Sequence, residues 1–192
     1  VTTPRMIPLP LDRISASFQA TLSEIPDPGI GNANLVGTLA HHPELADASN
    51  PLALHLLFRG QLPPRDRELA ILRTAALTRC DYEWGHHARL GRNAGLTAAE
   101  FDQIIHGPEH PAWSPLDSAI LQATDELHRS HRINDATWRV LAGHYSERQL
   151  IELLFLIGHY HTLAYVINGV RLPLEPGHQG IPAPGTASTS ER

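Results

Sequence analysis

Apolar residues recur along this chain at helical spacing, and no stretch shows the period of two that marks a half-buried strand. Over residues 11–22, Leu11, Ile14, Phe18 and Leu22 share one helical face. The run Pro-Asp-Pro-Gly at 26–29 reads as a loop. Helices are predicted over about 31–41 and about 44–58, the second stopped by Gly60. Pro64 suits the first turn of a helix over about 64–78. The next helix covers about 80–94 and ends at Gly95. Thr97-Ala-Ala-Glu100 is a capping-box pattern that opens a short helix to about His106. A helix over about 116–130 carries Leu116, Ile120, Ala123 and Leu127 on its stripe. Asn134 or Asp135 can cap another, carrying Trp138 and Leu141. Ser146-Glu-Arg-Gln149, a second capping box, opens a long apolar helix to about 169. The expectation is one all-α domain of about eight helices over 1–172. The Pro/Gly/Ser-rich residues 173–192 are expected to form a tail, an ordered strap at best and then disordered.

Composition narrows the function classes. The 192 residues suffice for one domain with a real core, and a net charge of −5 offers no basic footprint for nucleic acid. A single cysteine excludes an internal disulfide framework and fits a reducing compartment. No early segment joins basic residues, an apolar run and a small-residue cleavage site, so a cytoplasmic chain without a signal peptide is expected. Residues 150–170 are long and apolar enough to cross a bilayer. They include Glu152, His159, His161 and Asn168, which favours a helix at a core or subunit interface over a membrane span.

The candidate chemistry centres on Cys80-Asp-Tyr-Glu83-Trp-Gly-His-His87. Cys80, Glu83 and His87 stand at i, i+3 and i+7, so a helix brings a thiol, an acid and a base to one face. Glu83 and His87 form an i, i+4 pair able to orient or shuttle a proton. Cys80 near a helix N-terminus could be a thiolate, although a lone cysteine is most often a small buried hydrophobe. Glu68 lies on the apolar stripe of the preceding helix, near Arg65 and Arg67. Tyr82, Trp84, Arg89, His159, His161 and Asn168 are candidates to line a substrate pocket. No H-E-x-x-H pattern is present, so no metal is expected at Glu68, Glu83 and His87.

The stretches Leu62-Pro-Pro-Arg-Asp-Arg-Glu68-Leu-Ala-Ile-Leu-Arg-Thr-Ala, Cys80-Asp-Tyr-Glu83-Trp-Gly-His-His87-Ala-Arg and Ala94-Gly-Leu-Thr resemble the carboxymuconolactone decarboxylase family, which includes the AhpD-like alkylhydroperoxidases. The resemblance covers roughly residues 35–170. The hydroperoxidase branch has a Glu, a Cys twelve positions on, and then C-x-x-C-x-x-x-H. Here Glu68, Cys80 and His87 keep those places. Glu83 stands where the second cysteine would be, and glutamate forms neither a sulfenic acid nor a disulfide. Glu83 to Arg89 looks more like the decarboxylase branch.

The resemblance implies an all-α fold assembling as trimers or hexamers, with sites at or near subunit interfaces. It points first to a cofactor-independent lyase acting on a small carboxylated lactone or related acid. His87 and Glu83 would move the proton, Glu68 would support them, and Arg65 or Arg89 could hold a carboxylate. A one-cysteine peroxidase at Cys80 is the second reading. A non-catalytic helical oligomer that binds a small molecule is the third.

Overall fold

A computed structural model describes residues 3–23 and 34–182. The predicted loop at 26–29, the start of the second helix at 31–33 and the end of the tail at 183–192 lie outside the described residues. Among the described residues are nine α-helices, against the about eight expected, and no strand. They are α1 (Ala16–Ser23), α2 (Asn34–Leu39), α3 (Pro43–Leu54), α4 (Pro64–Thr78), α5 (Asp81–Asn93), α6 (Ala98–His106), α7 (Pro115–Ser130), α8 (Asp135–Ala142) and α9 (Glu147–Val170).

Local sequence explains most boundaries. Pro64 begins α4, and both capping boxes close, at Thr97 with Glu100 and at Ser146 with Gln149. Asn134 caps α8 by accepting from Ala136 and Thr137 N–H. The predicted helix over 11–22 is broken. Leu11–Arg13 form a 3-10 turn, Ile14 is extended, and the Ser15 hydroxyl accepts from Phe18 N–H at the start of α1. The Ser15 cap restarts the chain as a separate helix. α3 continues into a π-helical segment, His55–Arg59, before Gly60 turns the chain out.

α4 is the central element, packed against α5, α7 and α9. Residues 68–75 are buried without a break, so no polar face remains. Burial of Leu69, Ile71 and Leu72 stabilises the fold by roughly 1.5–3 kcal/mol each. Its buried polar side chains are partnered: Glu68 to His87 and Arg67, Arg73 to Asp125, Thr74 to the Ala70 carbonyl. The α4–α5 turn is tight. Arg79 adopts the left-handed conformation (φ 52, ψ 44) and Cys80 N–H reaches back to the Ala75 carbonyl. This turn folds α5 back along α4 and brings Glu68 opposite His87.

By length and composition α9 could cross a bilayer. It packs instead against α4, burying Leu153, Leu156, Ile157, Tyr160, Ala164 and Ile167. Its Glu152 carboxylate accepts from Gln61 and Leu62 N–H, over a Gly60 that leaves room for it. The other side of α9 exposes Ile151, Phe155 and Tyr165. Ile14, Phe18, Val36, Ala40 and Ala46 form a separate small core among α1, α2 and α3.

Candidate active site

A cavity of about 140 Å³ lies between that small core and the main bundle. Phe18, Leu35 and Leu39 from α1 and α2 line one side, Leu54 and Phe58 from α3 and its π-helical end another, and Leu90 and Leu163 the third. Its polar lining is concentrated on α5 and α9: Tyr82, Glu83, His86 and His87 from the first, His159 and Tyr160 from the second. Ser49 and Asn50 face them from α3.

Glu68, Glu83 and His87 converge as expected. His87 Nδ1 lies 2.7 Å from Glu68 Oε2, and Arg67 Nε donates to Glu68 Oε1 at 2.9 Å. A carboxylate that accepts at both oxygens takes the Nδ1 proton of His87, so in the neutral ring Nε2 carries the lone pair. His87 Nε2 is 3.4 Å from Glu83 Oε2, and the Tyr160 ring stands edge-on to the imidazole at 4.9 Å. Glu68, not Glu83, therefore orients His87.

Glu83 is the unusual group. Burial, with a smaller push from Glu68, raises its carboxyl to about 7 against the opposing pull of His87. Its Oε1 is buried and has no hydrogen-bond partner. Among the described residues the only other such side-chain atom is Asn50 Nδ2. Both residues line this cavity. Orphaned buried polar atoms are uncommon because each forfeits its hydration, and two in one cavity mark a place that a ligand would satisfy.

Cys80 departs from the reading that put it beside Glu83 and His87. It is fully buried among Tyr82, Ala164, Ile167 and Leu172 and is not part of the cavity wall. The helical angle did not apply because Cys80 is the N-cap of α5, with non-helical φ −96 and ψ 86. Burial pushes its thiol up to about 12, and the charge of Glu83 adds to this. The native protein is expected to resist thiol-disulfide reagents for hours at neutral pH and to titrate one thiol once unfolded. Labelling of the folded protein within minutes would restore a redox role.

The other candidates divide. Tyr82 and His159 line the cavity, and burial keeps His159 uncharged more readily than a free imidazole. Trp84 does not: it packs edge-on to Phe101 in the main core. His161 points to α7, where its Nε2 meets His128 Nδ1 at 3.0 Å and its Nδ1 meets the Ile157 carbonyl. Asn168 donates to the Thr78 carbonyl outside the cavity. Arg89 is not in the lining, and Arg65 is committed to Glu100 and to Asp117. No group of three or more metal-ligating side chains that could hold a metal ion occurs among the described residues.

Sequence reasoning missed a buttress behind the wall. Residues 173–182 run as a strap over α5. Glu175 accepts from the Tyr82 hydroxyl at 2.7 Å, pairs with His86 Nε2 at 2.7 Å and accepts the Asn34 N–H at the start of α2. His178 stacks on His86 with ring centroids 4.3 Å apart. Gly85 leaves room for the strap, since a Cβ there would meet the Gln179 carbonyl and Leu174 at 3.0 Å. The hydrogen bonds of His86 and Tyr82 outweigh burial and hold the Glu175 carboxyl down at about 2.

Residues 43–126 match the carboxymuconolactone decarboxylase family. No curated protein matches the sequence. Solved structures do. The AhpD core of an uncharacterized peroxidase-related protein from Ralstonia eutropha JMP134 superposes with a TM-score of 0.78 at 18% identity, covering 92% of this chain and 94% of that one. An AhpD-type protein of unknown function from Agrobacterium tumefaciens gives 0.65 at 21% identity, over 71% and 94%. The debrominase Bmp8, as a cysteine-to-alanine variant in complex with 2,3,4-tribromopyrrole, gives 0.67 at 14%, over 91% and 94%. At these identities the structures speak for the fold alone. The match to the carboxymuconolactone decarboxylase family spans α3 to α7, with the site helices α4 and α5 within it, and the chain has the AhpD-like fold.

Proposed function

We propose that this protein is a cofactor-independent lyase or isomerase that works by proton transfer on a small substrate. The observation that carries the reading is the buried Glu83 carboxyl, its Oε1 unpartnered at the cavity, beside a His87 whose Nδ1 is held by Glu68. His87 Nε2 takes a proton from carbon next to a carbonyl. The C–H electron pair becomes the C=C bond, the carbonyl π electrons move to oxygen, and Glu83 gives that oxygen its proton. The resulting imidazolium and carboxylate lie side by side and neutralise one another. A lyase step uses the same groups, because bond cleavage that leaves an enolate needs the same acid. A general acid or base of this kind supplies about 10²–10⁴ in rate, most effectively when its pKa is near the working pH.

Two alternatives lose support. A thiol peroxidase needs a reactive thiolate, and Cys80 is buried away from the cavity with its thiol raised to about 12. A Schiff-base mechanism through a lysine is unsupported, because the chain contains no lysine. The test is deuterium exchange at the carbons next to the carbonyl of cyclohexanone in D₂O, followed by NMR. Catalysed exchange should fall by about 10²-fold or more in His87→Ala. Exchange no faster than in buffer, or undiminished in both His87→Ala and Glu83→Gln, would remove the proposal.

A further inference from the structure

We infer that the cavity takes an uncharged single-ring molecule whose carbonyl oxygen accepts a hydrogen bond from Asn50, a residue with no role so far. The inference deepens the proton-transfer reading by naming its substrate class and, for the chemistry after binding, rests on it.

Size comes first. A cavity of about 140 Å³ is close to the roughly 150 Å³ apolar cavity that admits benzene. A ring of about six heavy atoms fills such a space.

Charge comes second. The fifteen cationic side chains of this protein are all arginines, and none among the described residues lines the cavity. The segment 24–33, outside the described residues, contains no arginine or lysine either. Of the histidines in the wall, His86 is paired with Glu175 and His87 with Glu68, so their positive charge would already be answered, and burial disfavours the charged form of His159. A carboxylate on the ligand would enter an apolar space beside Glu83 with no countercharge, which is costly. This removes the expected carboxylated lactone as the best-fitting ligand.

Hydrogen bonding comes third. Asn50 Nδ2 is a donor without an acceptor, and Glu83 Oε1 is unpartnered. The two side chains reach the cavity from α3 and α5, so a ring between those helices can meet both. A carbonyl oxygen accepts from the Asn50 amide and from the protonated Glu83 acid together. These are the two donors an enol oxygen needs as its charge develops.

The test uses three probes of similar size with the full chain at about pH 6, where Glu83 keeps its proton. Cyclohexanone is neutral and accepts a hydrogen bond. Methylenecyclohexane has nearly the same shape and accepts none. Cyclohexanecarboxylate carries the charge. Ligand-observed NMR should give an affinity for cyclohexanone about tenfold above methylenecyclohexane and about a hundredfold above cyclohexanecarboxylate. In Asn50→Leu, and in the similarly shaped Asn50→Asp, the preference for cyclohexanone over methylenecyclohexane should fall at least about threefold, leaving only what the Glu83 acid supplies. Equal or tighter binding of the carboxylate, an undiminished carbonyl preference in both variants, or binding of none of the three would overturn the inference. If these affinities hold while deuterium exchange is absent, the ligand class stands and the proton-transfer step falls. Exchange with a carboxylate-preferring cavity would do the reverse.

Discussion

Glu83→Gln is expected to make the protein more stable above neutral pH while lowering proton-transfer activity by about 10²–10⁴. The sign comes from linkage. The folded protein holds the Glu83 proton up to about 7, whereas the unfolded chain releases it near 4.5. Between those values unfolding releases a proton, so stability falls as pH rises through the window. The shift corresponds to roughly 3 kcal/mol, fully felt at about pH 8 and absent at about pH 4. Glutamine has no proton to lose and avoids the penalty. Urea denaturation of wild type and variant at both pH values measures it. A wild type that is the more stable at pH 8 would mean that ionised Glu83 is well satisfied in the fold, and the raised-acid account would fail. Greater stability joined to lost activity is what a group retained for chemistry should show, and a structural ion pair should not.

Arg73→Ala is expected to cost about 3–5 kcal/mol, a large share of the 5–15 kcal/mol of a typical domain. Arg73 leaves the middle of α4 and forks onto Asp125 of α7, with contacts of 2.6 and 2.8 Å. Its third nitrogen donates to the Ile104 and Ile105 carbonyls at the end of α6. One side chain thus ties three helices and satisfies a buried helix terminus. Its removal strands the Asp125 carboxylate in the core. Arg129, 3.7 Å from that carboxylate and largely exposed, gives only partial relief. Paired replacement, Arg73→Met with Asp125→Leu, should recover most of the loss, because the cost lies in the uncompensated charge. A single-variant loss below about 1 kcal/mol in urea denaturation would contradict this.

How much of this was legible in the sequence differs by element. Pro64 and the two capping boxes fixed α4, α6 and α9 closely, because those signals act within one turn. Helical phase correctly joined Glu83 and His87, and the spacing to Glu68 brought in the third member. The same phase misplaced Cys80, since a residue in cap conformation does not obey the 100° step. It also misjudged α9. That helix is apolar nearly all round, so nothing local said that His159 rather than His161 would face the cavity. Asn50 looked like an ordinary polar residue on α3. Glu175 and His178 act across about ninety residues of chain, beyond any local pattern.

The strap over α5 bears on where this protein can be cut. A boundary after Leu172 keeps every helix among the described residues intact and looks natural in the sequence. It would nevertheless discard Glu175, which holds Tyr82, His86 and the first residue of α2 at once. A trimmed fragment could thus fold, give a helical spectrum and still present a slack binding wall. Inactivity in such a fragment would say nothing about the chemistry of Glu83. On these contacts, a fragment meant to keep the binding wall should extend through the strap to residue 182.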